Sequence, residues 1–302
     1  MTRRPFVARL ALAIALPLAS ACLPAPARAE SFEEKVVALV APHGPEAVVE
    51  VALHDLATGE TVLIRADEPI HPASTMKVPV MMEVYRRAEA GGLGLDDEIE
   101  VKNTFASIVD GSHYALDVAD DSETTLYKRV GGKATIRELV FLMITESSNL
   151  ATNILVEKLT GEAVTAFMKE LGAGDLKVLR GVEDDKAVAL GRNNVGTARG
   201  TMTILTRLAE GTAVSRSASD AMLEVLRAQK FNDGIPAGLP EGTVVAHKTG
   251  SFAKVYHDAG IVEPEGRKPF VLVVMTRGIE AEDASRKLVA DVARAAYEHV
   301  VR

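Results

Sequence analysis

Apolar positions recur with two different periods along the chain, and the period changes twice. Phe32, Val36, Val37 and Val40 fall on one face of a short helix, opened by Ser31 and Glu34 as a capping box. Residues 47–56 and 61–65 then read as strands joined by the turn Ala57-Thr58-Gly59, which is a hairpin. From residue 74 to about residue 227 the pattern is mostly helical, broken at Gly91-Gly92 and Gly131-Gly132, with Thr135 and Glu138 as a second capping box. No convincing strand interrupts that stretch. Strand patterns return at 243–249, 257–262 and 270–276, and an amphipathic helix closes the chain from 282 to 301. Strands at both ends with helices between predict one sheet assembled from the two termini, interrupted by a helical insertion.

The first 29 residues carry a different signal. Arg3, Arg4 and Arg9 precede an apolar stretch from residue 10 to 19, and Ala27-Arg28-Ala29 supplies a small-residue cleavage site before Glu30. That stretch is too short for a permanent membrane span. The expectation is an exported protein, periplasmic or extracellular. Cleavage after Ala29 removes Cys22, the sole cysteine, so the mature chain forms no internal disulfide. Lipid attachment at Cys22 is the competing reading, but Ala19-Ser20-Ala21 lacks the large aliphatic residue usual at its first position. The expected organisation is a signal peptide at 1–29, an α/β domain from 30–72 and 228–302, and a helical domain at 73–227.

Composition narrows the function classes. A chain of 302 residues with 47% hydrophobic content can bury a large core. The formal charge is −8, and because the first 29 residues hold four arginines and no acid, the remainder carries −12. That balance argues against a nucleic-acid partner, which would call for a basic face. The seven histidines show neither HxHxDH nor HExxH spacing, so a metal-dependent hydrolase has no ligand set. No internal repeat is visible and no long apolar face is left over, so a monomer is expected.

Three short segments carry candidate chemistry: Ser74-Thr75-Met76-Lys77, Ser147-Ser148-Asn149 and Lys248-Thr249-Gly250, in that order. Each alone is common, and the bland readings are a snorkelling lysine and an ordinary helix cap. The ordered set is not common. A serine nucleophile needs a base within hydrogen-bond reach and donors for a developing oxyanion. Ser74 and Lys77, three apart, share one face at the start of a buried helix, where free backbone N–H groups favour negative charge. A lysine desolvated among Val78, Val80 and Met81 loses preference for its charged form and can take a proton.

With these contexts the chain resembles the serine penicillin-recognising superfamily, and most of all the class A β-lactamases. The stretch Thr135-Ile136-Arg137-Glu138-Leu139, then Ile144-Thr145-Glu146-Ser147-Ser148-Asn149 and Asn153, is similar to the region around the class A second motif. The resemblance implies an α/β fold of the β-lactamase/transpeptidase type: an antiparallel sheet built from both termini with flanking helices, plus an all-α insertion domain. It implies Ser74 as the acylated nucleophile, Lys77 as its activator and Ser147 as the hydroxyl that passes a proton to the leaving nitrogen. Asn149 would hold the substrate's side-chain carbonyl, and Lys248 and Thr249 would bind its carboxylate. Gly250 would allow close backbone approach, and the N–H groups of Ser74 and Ser251 would form the oxyanion hole. No metal or cofactor is implied.

The chain departs from that pattern in ways that bear on turnover. Ser148 stands where class A enzymes usually carry aspartate. The deacylating glutamate usually sits in an ExxLN pattern, whereas here the region reads Arg180-Gly181-Val182-Glu183-Asp184-Asp185-Lys186-Ala187. Arg180 matches the loop-anchoring arginine and Glu183 is the candidate base, with a solvated acidic run as the alternative. No aspartate between Lys186 and Arg199 pairs with Arg180, so Asn193 and Asn194 are the expected substitutes. Arg277, at the end of the last strand, is a candidate for the substrate carboxylate, and His247 reads as structural. The region 103–130 lengthens the first gap, placing Ser147 73 positions after Ser74, either as a cleft border or as a surface excursion.

The expected function is therefore a serine hydrolase that opens a small-molecule β-lactam through a covalent acyl-enzyme. The alternatives are a D,D-peptidase or transpeptidase acting on a cell-wall peptide, and a sensor that acylates without turnover.

Overall fold

The computed structural model describes residues 1–2 and 30–301, and residues from Ser31 onward form one compact unit. The expected signal segment and Cys22 lie outside the described residues. In chain order the elements are α1 (Phe32–Val40), β1 (Val48–Asp55), β2 (Thr61–Ile64), α2 (Lys77–Glu89), β3 (Glu98–Glu100), β4 (Phe105–Ala106), β5 (His113–Tyr114) and β6 (Lys133–Thr135). There follow α3 (Ile136–Thr145), α4 (Asn149–Leu159), α5 (Gly161–Glu170), α6 (Asp185–Ala189), α7 (Ala198–Ala209) and α8 (Arg216–Arg227). The chain returns through β7 (Val244–Phe252), β8 (Val255–Glu263) and β9 (Phe270–Arg277) to α9 (Glu282–Val300).

The sheet has the order β2-β1-β9-β8-β7, and every neighbouring pair is antiparallel. Alternation along the strands divides its side chains between two cores. Val271, Val273 and Met275 of β9, with Ala246, Ala259 and Ile261, join the core built by the helices of the insertion. Phe270, Leu272 and Val274, with Val49, Val51 and Leu53, pack against α1 and α9 on the opposite face. A strand covered on both sides has no solvent face to mark with polar residues, which is why β9 reads as the unbroken run Phe270-Val271-Leu272-Val273-Val274-Met275. Among the described residues no helix is long and apolar enough to cross a membrane.

Helix starts follow local chemistry. The Ser31–Glu34 capping box is present in both directions. Thr135 caps α3 by accepting from the Glu138 amide, while the Glu138 carboxylate turns outward to Arg129. The insertion is not all-helical as expected. β3 pairs with β6, and β4 pairs with β5, in ladders of two or three residues. Pieces so short carry no detectable period of two, so the pattern hides them. β7 also runs past Thr249 to Phe252, because Gly250 and Ser251 keep their pairing with His257 and Tyr256 instead of ending the strand.

Candidate active site

Ser74 lies in a 3-10 turn, Ala73–Met76, that feeds directly into α2 at Lys77. The turn is tied down by Thr75, whose hydroxyl donates to the Pro72 carbonyl at 2.6 Å. Ala73, immediately before Ser74, holds a left-handed backbone with φ of 46°. Gly250 of β7 packs flat against this turn. A Cβ at position 250 would stand 2.9 Å from the Ser74 backbone nitrogen and 3.1 Å from the Pro72 carbonyl oxygen. Any side chain there would therefore push on the Ser74 amide.

Two amines meet behind the serine. Lys77 is 1% exposed and Lys248 is fully buried. Lys77 Nζ donates to the Ser147 carbonyl at 2.7 Å, to Asn149 Oδ1 at 2.9 Å and to Ser147 Oγ at 3.1 Å. Lys248 Nζ reaches the same Ser147 Oγ at 3.1 Å and the Thr249 carbonyl at 2.8 Å. Burial pushes Lys77 down to about 7, against the opposing pull of Asp121 and Glu183. Burial also pushes Lys248 well below the usual lysine range, helped by Lys77 as a like charge and opposed by Asp258. Desolvation of adjacent cations in this way makes one neutral amine available at ordinary pH.

Ser147 and Asn149 flank the start of α4. Ser148 is its N-cap, accepting from the Ala151 amide at 3.2 Å, and Ser147 has a left-handed φ of 56°. The amides of Asn149 and Leu150 donate to Asp121 Oδ2 at 2.8 and 2.9 Å. Asp121 comes from the 103–130 region, which thus borders the site and is no mere surface excursion.

The loop that carries Glu183 is closed by amides in place of an acid. Arg180 Nη2 donates to Asn193 Oδ1 at 3.0 Å. Asn194 Oδ1 accepts from the Leu179 and Arg180 amides at 2.8 and 3.0 Å, and its Nδ2 donates back to the Arg180 carbonyl at 3.2 Å. Asn153 of α4 holds the loop from beneath, accepting the Val182 amide at 2.6 Å and donating to the Val182 carbonyl at 3.0 Å. The 103–130 region holds it from above: Asp184 accepts from the Ser107 hydroxyl and the Ile108 amide, and Lys186 pairs with Asp110. Glu183 itself has φ of 60° and is half-buried. It accepts from the Asp117 amide at 3.2 Å and from Asn149 Nδ2 at 3.4 Å. Burial raises its proton affinity, which those two donors oppose.

Two adjoining cavities of about 750 and 210 Å³ share Ser74, Asp120, Asn149 and Ser251. Lys77, Arg180 and Glu183 line the larger; Ser147, Thr249, Gly250 and Arg286 line the smaller. Nine of the ten residues singled out from the sequence thus lie at or directly behind this cleft.

Two of the ten stand differently from expectation. Arg277 lines neither cavity. Its guanidinium pairs with Glu68 at 2.6 Å and approaches Glu50 at 3.6 Å, so those acids draw it to the far side of the strand end. Lys248 is near the site, but its amine is turned inward onto Ser147 and its own strand. The cation that does open into the smaller cavity is Arg286 of α9, which pairs with Asp233 and Glu282 and lies over the Tyr256 ring at 5.4 Å. Arg286 reads in sequence as part of the polar face of an amphipathic helix, and Asp121 belongs to no motif. His247 is structural, held between Asp258 at 2.9 Å and Asn232 at 3.1 Å.

Comparison with known proteins agrees with this geometry. The sequence model of the beta-lactamase enzyme family matches residues 31–300. Beta-lactamase CTX-M-8 from Citrobacter amalonaticus is 30% identical over 283 residues, covering 91% of this chain and 90% of that protein. The beta-lactamase of Rhodobacter capsulatus is 29% identical over 292 residues, covering 94% and 93%. Among solved structures, an ancestral class A β-lactamase superposes with a TM-score of 0.77 at 28% identity, over 89% of this chain and 99% of that one. The beta-lactamase from Sphaerobacter thermophilus DSM 20745 gives a TM-score of 0.75 at 28% identity, over 88% and 97%. With a family match over residues 31–300, and with the Ser74 turn, the paired amines and the Glu183 loop around one cleft, this chain belongs to the beta-lactamase enzyme family and is class A-like within it.

Proposed function

We propose that the protein hydrolyses β-lactams through an acyl-enzyme on Ser74. Ser74 Oγ attacks the lactam carbonyl and gives its proton to Lys77 Nζ, while the Ser74 and Ser251 N–H groups stabilise the oxyanion. The ring C–N bond breaks as Ser147 Oγ protonates the nitrogen, and the amines beside Ser147 restore that proton. Asn149 orients the side-chain amide. Thr249 and Arg286 receive the substrate carboxylate at the other end of the cleft, with the Lys248 amine holding Ser147 and the Thr249 carbonyl from behind. Glu183 then takes a proton from water, which attacks the ester carbonyl; the C–O bond to Ser74 breaks and that proton is returned to Ser74 Oγ. No metal or cofactor takes part in these steps, and the enzyme acts as a monomer exported after cleavage before Glu30.

The observation that carries this reading is the single hydroxyl of Ser147 at 3.1 Å from each of two buried amines, on the wall of the cavity that Ser74 lines. The test is hydrolysis of a chromogenic cephalosporin, combined with intact mass of the mature protein after brief and long exposure to a penicillin. Transient mass gain on Ser74 with steady hydrolysis is expected. A permanent adduct would instead make the chain a penicillin-binding sensor, and release of D-alanine from a cell-wall peptide without lactam turnover would make it a peptidase.

A further inference from the structure

Asp121 has no part in the steps above, yet it is the most fully engaged carboxylate beside the two amines. It is 6% exposed. Its Oδ2 accepts from the Asn149 amide at 2.8 Å, the Leu150 amide at 2.9 Å and the Tyr127 hydroxyl at 2.9 Å, and its Oδ1 accepts from the Glu123 amide at 3.1 Å. Four donors converge on an acceptor-only group, which fixes its position from all sides. The two backbone amides belong to the first turn of α4, where a negative charge is favoured. Ser148, the N-cap, carries none. The charge arrives from 28 positions upstream of Asn149, out of the 103–130 region.

We propose that Asp121 is a positioning residue for acylation: it clamps the start of α4 so that Asn149 Oδ1 and the Ser147 carbonyl stay against Lys77, and its charge offsets the ammonium formed when Lys77 takes the Ser74 proton. The inference rests on the acyl-enzyme reading of Ser74. Lys77 is faced by Lys248 from β7, by Glu183 from the 180–194 loop, by Ser147 and Asn149 at the entrance to α4, and by Asp121. Asp121 is faced by Tyr127 and by Glu123, whose own carboxylate caps Thr125 and Leu126, and it adjoins Asp120. Burial acts against a charge on Lys77, whereas Asp121 and Glu183 act for it. Without Asp121 the balance moves toward the neutral amine.

The sign follows. Removing the charge lets Lys77 stay neutral to lower pH, so the acid limb of acylation moves down, while the plateau falls because the ammonium of the transition state has lost its anion. The experiment is single-turnover acylation of the mature enzyme by a penicillin between pH 5 and 9, read by intact mass, for wild type, Asp121→Asn and Asp121→Asn/Ser148→Asp. Asp121→Asn should lower the plateau about tenfold or more and move the limb down by roughly half a unit or more. Ser148→Asp, which returns a carboxylate to the same helix turn, should restore both in the double variant. An unchanged limb and plateau in folded Asp121→Asn overturn the proposal. So does a folded double variant that regains thermal stability but not acylation, which keeps the test decisive if the single variant fails to fold. Wild type that never acquires an adduct overturns the acyl-enzyme reading itself, and is distinguishable from a loss confined to the variants.

Discussion

The Ser147 hydroxyl stands 3.1 Å from the Lys77 amine, within range to pass a proton either way once that amine is neutral. Lys248 holds the same hydroxyl from the other side. Ser147→Ala removes the hydroxyl proposed to protonate the leaving nitrogen without opening the packed wall behind it. Acylation should slow by about 10²- to 10³-fold with little change in substrate affinity. Presteady-state acylation kinetics measure both, and a change confined to affinity would assign Ser147 to binding alone.

Glu183→Gln keeps the shape of the loop residue and removes the carboxylate proposed as base. Acyl-enzyme should build up to one per chain, with deacylation slowed by about 10²- to 10⁴-fold. Because burial raises the proton affinity of Glu183, the acid limb of deacylation in wild type should lie above the ordinary glutamate value of 4.5. Turnover unaffected by the substitution would rule out that role.

Asn153 grips both the backbone N–H and the carbonyl of Val182, so its loss should act on the loop and spare Ser74. Asn153→Ala is expected to cost about 1–3 kcal/mol of stability through the unpaired peptide groups. Deacylation should fall more than acylation. Equal losses in both steps, measured by single-turnover and steady-state rates, would show that Asn153 supports α4 as a whole.

Glu50 supplies a test of stability against pH. It is fully buried on β1, both carboxylate oxygens lack a hydrogen-bond partner, and burial raises it from 4.5 to about 7, with Arg277 opposing. A carboxyl whose folded value is raised favours the fold below about 4.5, and that advantage is lost as pH rises through about 7. Glu50→Gln should therefore be more stable than wild type at pH 8, by up to about 3 kcal/mol, and should flatten the pH dependence between these values. Thermal melts at pH 5 and pH 8 measure it, and a parallel shift at both would point to packing in place of charge.

The large elements were legible because their chemistry is local. The capping box at Ser31 and Glu34, the hairpin of β1 and β2 and the apolar run of β9 each declare themselves within a dozen residues. The motif serines and lysines were legible because their order is rare. Asp121 and Arg286 were not, since each works through contacts made only after folding brings distant segments together. Arg277 misled for the same reason: a strand-end arginine near a motif looks free until Glu68 and Glu50 are seen to hold it. Asn193 and Asn194 were foreseen as loop closers only by asking what stood in for a missing acid.

Ala73, Ser147 and Glu183 all hold left-handed backbones, one beside the proposed nucleophile, one at the proposed proton donor and one at the candidate base. A non-glycine residue kept in that region costs on the order of 1 kcal/mol or more. Heat resistance and catalytic speed thus make opposing demands on the same three positions. Variants selected only to survive high temperature should drift toward relaxed backbones there, as with Ala73→Gly, and become sturdier, slower proteins.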